Sequence, residues 1–189
     1  MSDDVHAWIE AHEEEMIEFL VEYISYRSPT EDEAEVQREF VEPFFRNEMD
    51  WNDVTIVDVT DEQNRPNVNA VLAGEGDGDG RNILFNGHSD VVDVTAENEK
   101  SWTKDPWDPV IEDGRLYGRG ANDMKGPNAA MIWAVKAVME SDVELSGDVL
   151  MSLVVGEELA QQEVGSIPAT NAHLETGREI PVCINTEPT

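Results

Sequence analysis

The chain is 189 residues long, 40% hydrophobic and contains five Trp; that is enough for one domain with its own core and excludes a disordered tail. Its 42 Asp and Glu stand against 12 Lys and Arg, a formal net charge of −30, and that sign excludes nucleic-acid binding through phosphates. The acids are spread among apolar positions and not gathered in blocks, which sets aside an acidic solvating tail and points to a chain adapted to salt, where screening shortens from roughly 10 Å at 0.1 M to about 3 Å at 1 M.

The expected setting is the cytoplasm of a halophile. No apolar stretch reaches the roughly 18 residues of a membrane span, and the start "MSDDVHAW" has neither a basic nor an apolar leader region. Neither a membrane nor a nucleic acid is expected as a partner. The single Cys183 excludes an internal disulfide, and its apolar run "PVCIN" predicts a small buried thiol.

In chain order, Val5, Trp8, Ile9, Met16, Leu20, Tyr23 and Ile24 recur at three- and four-residue steps, which predicts one helix over residues 5–27 with a buried stripe. His6 and His12 lie in it as surface residues, not ligands. Pro29 stops that helix, and Thr30 with Glu33 reads as the capping box of a second helix running toward Asn47. "DVTIVDV" and "NVNAVLAG" alternate like strands, and "GEGDGDGR" is a glycine-rich hairpin turn into the strand "NILFNG". Residues 102–120 look irregular, with a turn at "EDGR". The run "GPNAAMIWAVKAVMES" is a helix apolar on most faces, "GDVLMSLVVG" a fully buried strand, residues 167–175 a short helix, and "PVCIN" a last strand. The order predicts an α/β fold: a mixed, largely parallel sheet flanked by helices.

Acids and an imidazole fall just past these strands: His88 and Asp90 in "GHSD", Glu157 and Glu158 in "VVGEE", and Glu187 in "INTEPT". Open α/β sheets place ligands outside the carboxyl ends of their strands, so the three places can converge. A fourth is "GRGANDMKG", where glycines bracket Asp123. One imidazole with several carboxylates suits Zn²⁺ or a similar divalent ion; two ions need a shared carboxylate, and Asp123 is the candidate bridge.

Taken in order, "GHSDVVDV", "LYGRGANDMKG", an apolar strand running into "GEE" and a strand ending in "NTEPT" resemble the dimetal amidohydrolases that include acetylornithine deacetylase, succinyl-diaminopimelate desuccinylase, aminoacylase and carboxypeptidase G. The likeness spans nearly the whole chain, and "GRGANDMKG" is its most specific piece. It implies that His88 and Glu187 bind one metal ion, that Asp123 bridges two, and that Glu158 binds the second. Asp90 would orient His88, and Glu157 would be the general base that takes a proton from a bridging water. The implied cofactors are two divalent ions, Zn²⁺ foremost with Co²⁺ or Mn²⁺ as alternatives, which activate that water and polarise an amide carbonyl. The implied substrate is an N-acyl amino acid or a short peptide.

Two departures accompany the likeness. "GEELAQQEVGS" aligns in two ways, with Glu157 and Glu158 or with Gln162 and Glu163 as the paired acids; the first pair is favoured because it directly follows the apolar strand. The family's lid domain, inserted after the position of Glu187, and its later catalytic segment with a final histidine ligand have no counterpart. The resemblance therefore describes residues 1–189 as the N-terminal portion of a metallohydrolase catalytic domain, with an open sheet edge and an activity that needs the missing half. The alternative is an inactive truncated remnant or split-protein half that associates through that edge, as a homo-oligomer or with a complementing C-terminal half. A third reading, a calcium-binding or salt-solvating module at "GEGDGDG", lacks the glutamate at the twelfth loop position.

Overall fold

The computed structural model describes residues 2–51, 53–58, 64–76, 80–141 and 143–188. Among the described residues, seven strands run in chain order: β1 (Asp53–Val57), β2 (Asn67–Leu72), β3 (Ile83–His88), β4 (Val110–Glu112), β5 (Arg115–Tyr117), β6 (Val149–Val154) and β7 (Val182–Asn185). Five of them form one sheet in the order β1-β2-β6-β3-β7. β2 pairs antiparallel with β1 and β6, whereas β3 pairs parallel with β6 and β7; β2 alone runs against the rest. The sheet is thus mixed and largely parallel, with β6, whose VLMSLV is buried at every position, at its centre.

The helices are α1 (Ser2–Ala11), α2 (Glu13–Ser25), α3 (Lys125–Met139) and α4 (Ser166–Glu175). α1, α2 and α3 pack against one another on one face, over Val68, Ala70, Met151 and Leu153. α4 lies against β2 and β6 on the other face, where Asn69 and Ser152 point because alternate strand residues face opposite ways. Both faces are therefore covered, as an apolar central strand requires.

The single helix expected over 5–27 is two. His12 carries φ −113° and ψ 19°; its N–H is shared between the Trp8 and Ile9 carbonyls at 3.2 Å, its Nδ1 lies 2.7 Å from the Trp8 carbonyl oxygen, and its ring stacks on Trp8. Glu13, Glu14 and Glu15 then open α2, where negative charge complements the helix dipole. The second helix is present through residues 34–48, built largely of wide π-turns at Val36–Val41 and Phe44–Glu48, with Pro43 between them where no N–H can join the ladder. Its expected capping box is not: Thr30 and Glu33 bond elsewhere, as shown below.

Three further expectations change. Because β6 lies between β2 and β3, the glycine-rich stretch is a crossover and not a hairpin; residues 77–79, at the heart of that expected turn and of the calcium loop, lie outside the described residues. The irregular segment 102–120 contains the small hairpin β4–β5, turned at Asp113 and Gly114 with φ 51° and 72°, the left-handed pair that tight hairpins need. Cys183, expected to be buried, is exposed, because β7 is an edge strand with nothing described beyond it. No helix among the described residues is long and apolar enough to cross a membrane.

Candidate metal centre

Parallel pairing explains how residues far apart in sequence reach one crevice. His88 ends β3 in register with Val154 of β6, and Asn86 is in register with Asn185 of β7, so the chain segments leaving all three strands emerge at the same edge. Glu157 and Glu158 follow from β6 and Glu187 from β7. Asp123 arrives just before α3, through a turn in which Gly120 has φ 85° and no room for a side chain: a Cβ there would lie 2.8 Å from Val91.

His88 is the fixed point, 1% exposed. Its main-chain oxygen accepts from Asn128 Nδ2 at 2.6 Å, which ties the strand end to α3. Gly87 permits this approach, since a Cβ at that position would lie 2.0 Å from Asn128 Oδ1. The ring is held from behind by Asp90, whose main-chain oxygen is 2.8 Å and whose carboxylate Oδ1 is 3.4 Å from Nδ1. With the Nδ1 proton donated to that carbonyl, Nε2 is the ring nitrogen that faces the crevice.

Around Nε2 stand Asp123 Oδ1 at 3.3 Å, Glu187 Oε2 at 3.5 Å and Glu157 Oε2 at 3.6 Å. Two overlapping groups place one ligand atom from each residue within 4.8 Å of the others: His88, Glu157 and Glu187, and His88, Asp123 and Glu158. Every residue expected at the site from the sequence is thus brought together, whereas the other alignment's Gln162 and Glu163 are exposed and belong to neither group.

The electrostatics follow from crowding acids round one buried ring. Burial opposes a charged imidazole, but the hydrogen bond and charge of Asp90, aided by Glu157, outweigh it and hold His88 up to about 9. Burial raises Asp90 in turn, yet His88, Thr30 and the Glu158 amide prevail and hold it below its usual value. Burial raises Glu158, and the Asp123 charge adds to it; burial likewise raises Glu187 against the pull of His88. These are the signs expected where anions face one another without a cation between them.

Fit to a cation rests on atoms left without partners. His88 Nε2, Asp123 Oδ1 and Glu187 Oε2 are buried and have no hydrogen bond among the described residues, although buried polar atoms are satisfied in the large majority of cases. One imidazole nitrogen and several carboxylate oxygens form a donor set suited to Zn²⁺ or a similar divalent ion. The residues present therefore fit such an ion. Both groups share His88, and its single free nitrogen can serve only one of two ions.

Supporting residues went unread in the sequence. Asp90 accepts from Thr30 Oγ1 at 2.9 Å and from the amides of Glu157 and Glu158 at 3.2 Å each. Glu33 forms a buried pair with Arg65. Lys125 donates to the carbonyls of Tyr23 and Tyr26 at 3.0 and 2.6 Å at the end of α2, and burial pushes it down to about 7. Glu33 lay in an acid-rich run where one glutamate looks like another; the glycine-bracketed "MKG" was the one local hint of a buried lysine.

The site thus lies on a mixed sheet with helices on both faces, its acids gathered at the carboxyl ends of the parallel strands. Residues 84–189, more than half of the chain, match peptidase family M20/M25/M40, and the chain belongs to that family. It is 34% identical over 156 residues to the N-formyl-4-amino-5-aminomethyl-2-methylpyrimidine deformylase of Bacillus subtilis, covering 81% of this chain and 35% of the relative. It is 40% identical over 110 residues to the succinyl-diaminopimelate desuccinylase of Rhodospirillum centenum, covering 58% and 28%. Among solved structures, human carnosine dipeptidase 1 superposes with a TM-score of 0.78 at 24% identity, over 100% of this chain and 41% of that one. A metallo-carboxypeptidase of Sulfolobus solfataricus gives 0.73 at 19%, over 91% and 37%; at these identities the two structures speak for the fold. The chain spans about a third of the length of the curated relatives it matches.

Proposed function

We propose that the chain carries the cation-holding part of an amide hydrolase that removes an acyl group from an N-acyl amino compound or cleaves a short peptide. The observation that carries this reading is the set of three orphaned buried atoms, His88 Nε2, Asp123 Oδ1 and Glu187 Oε2, converging where one cation would satisfy all three. His88 and Glu187 would hold one divalent ion, Glu158 a second, and Asp123 would lie between them. Zn²⁺ is the first choice, with Co²⁺ or Mn²⁺ as substitutes. When bound, the ions supply Lewis-acid polarisation of an amide carbonyl and a lowered pKa for a water.

The chain's own residues do the rest. Asp90 fixes the His88 ring by accepting from Nδ1, so that Nε2 is the nitrogen at which a cation would replace the proton. Glu157 shares the crevice wall with a side chain 44% exposed, so its carboxylate can take a proton and return it to the leaving amine. The acyl substrate is supported by two relatives, a deformylase and a desuccinylase; the peptide alternative is supported by the match to a peptidase family. Residues 1–189 would be the N-terminal portion of a longer catalytic domain.

Equilibrium dialysis of the chain against Zn²⁺ in concentrated salt tests the reading: the wild type retains zinc and Asp123→Ala/Glu187→Ala does not. A panel of N-formyl, N-acetyl and N-succinyl amino acids then tests turnover, with the chain alone and within a protein of the relatives' full length. Equal zinc retention by both chains, or none by either, ends the proposal.

A further inference from the structure

Glu33 and Arg65 form an ion pair with side chains 0% and 6% exposed. Arg65 donates from Nε to Glu33 Oε2 at 3.1 Å and from Nη2 to Oε1 at 2.6 Å, a two-pronged contact. Charges taken out of water in this way add little net stability, and apolar replacements of the same volume often serve as well. What the pair touches next gives it a purpose. The remaining prong, Nη1, donates to Gln161 Oε1, and Gln161 closes the turn that carries the paired acids through its N–H to the Gly156 oxygen at 2.8 Å. Gly156 itself has φ 80°, and a Cβ there would stand 3.0 Å from Arg65 Nη2, so the guanidinium packs directly on the turn.

At the other end, Glu33 Oε1 accepts from the Glu31 amide at 2.9 Å, one residue from Thr30. Thr30 Oγ1 donates to Asp90 Oδ2, and the two amides of the paired-acid turn also donate to the Asp90 carboxylate. Two chain segments, 30–33 and 156–161, therefore meet on Asp90 in front and are bolted together by Glu33–Arg65 behind. Only a planar fork can bind a carboxylate with two prongs and reach a third acceptor; an ammonium cannot do both.

We propose that the Glu33–Arg65 pair positions the paired-acid turn, keeping the amides of Glu157 and Glu158 on Asp90 and their carboxylates beside His88. The consequence for cation binding rests on the proposed metal centre; the positioning itself does not. These are positioning residues, and their removal acts through the turn.

The test uses the full chain in concentrated salt. Amide hydrogen exchange at Glu157 and Glu158 in the metal-free protein reads the turn, and Co²⁺ affinity by visible absorption reads the crevice. Glu33→Leu/Arg65→Met removes both charges, Arg65→Lys keeps the charge without the fork, and Gln161→Ala cuts the link and leaves the pair. Each is expected to lose at least tenfold protection at the two turn amides while Leu150 and Met151 in β6 stay within threefold of wild type, and to bind Co²⁺ at least tenfold more weakly. If the double variant fails to fold, Gln161→Ala carries the measurement alone. Wild-type protection of both turn amides in Arg65→Lys and Gln161→Ala overturns the proposal. A wild-type chain that binds no Co²⁺ overturns the metal reading instead, with the amide exchange still deciding the positioning.

Discussion

Two histidines are buried in this chain, His88 at 1% and His173 at 3% exposure, and their surroundings are opposite. His173, on α4, has its Nε2 3.2 Å from Ser152 Oγ; Ser152 donates to Asn69 Oδ1 at 2.9 Å, and Asn69 donates to the Ala169 carbonyl at 2.7 Å. That chain of bonds closes on itself, and burial holds His173 below its ordinary pKa, with Arg178 adding to the fall against Met151 and Asp53. His88 has one nitrogen held and the other facing acids with no bond. A buried histidine whose partners are complete suits a structural role; one with an orphaned nitrogen among carboxylates is the candidate for the proposed cation.

The sharpest way to break this contrast is to remove each ring in turn. With Zn²⁺ at a thousand times its dissociation constant, binding to the folded state alone adds about 4.1 kcal/mol. His88→Ala should erase that metal-dependent rise in Tm, whereas His173→Ala should lower Tm without metal and keep the rise. Differential scanning fluorimetry with and without EDTA checks both, and the reverse pattern would sink the distinction.

A smaller effect tests the frame behind His88. Gly87→Ala puts a methyl group 2.0 Å from Asn128 Oδ1, so the Asn128 side chain must leave its bond to the His88 carbonyl or the strand end and α3 must part. Overpacking of this kind costs roughly 1–3 kcal/mol. Urea unfolding without metal should show that loss, and Gly114→Ala, where a Cβ would meet nothing within 4 Å but φ is 72°, serves as a control for backbone strain alone.

The two regions also differ in how far they could be read from sequence. That the acids of the candidate site meet was legible because each follows an apolar strand or sits between glycines, and parallel strands deliver their ends to one edge. The strand order was not: the uniformly apolar β6 between β2 and β3 turns an apparent hairpin into a crossover, and nothing local to "GEGDGDGR" records that. The break at His12 was hidden because it turns on the dihedrals of one residue, while the apolar stripe resumes in step at Met16. Arg65 and Gln161 were silent because their role depends on which side chains meet across 96 positions. Likewise, His173 in "NAHLE" gives no hint that Ser152 and Asn69 will lie beneath it.

His173 makes the contrast depend on pH. Its folded pKa lies below the ordinary 6.5, so the unfolded chain takes up the proton first. Stability from the neutral ring is therefore whole above about 6.5 and falls as pH drops below that value, until the folded ring also titrates. The charged groups facing it are Arg178 and Asp53. His173→Gln, which cannot titrate, should flatten the slope of Tm between pH 6.5 and 5.5 measured in EDTA; an unchanged slope would assign the acid sensitivity to the carboxylates.

The smallest expected effect concerns the sheet's open edge. Cys183 is exposed on β7 beside Ile184, itself 40% exposed, so Cys183→Ser should shift Tm within the roughly ±0.5 kcal/mol range of surface changes. The thiol is nonetheless a reporter. Burial of part of its surface pushes its pKa up, so labelling by a disulfide reagent should be slow at pH 7 and quicken steeply toward pH 9 while the chain stays folded. An edge strand offers unpaired N–H and C=O groups to any strand that can reach it, and a chain that pairs through β7 would cover Cys183. Labelling that slows as protein concentration rises, with sedimentation showing dimers over the same range, would place the contact at this edge. Labelling independent of concentration while dimers form would place it elsewhere and leave β7 open to water.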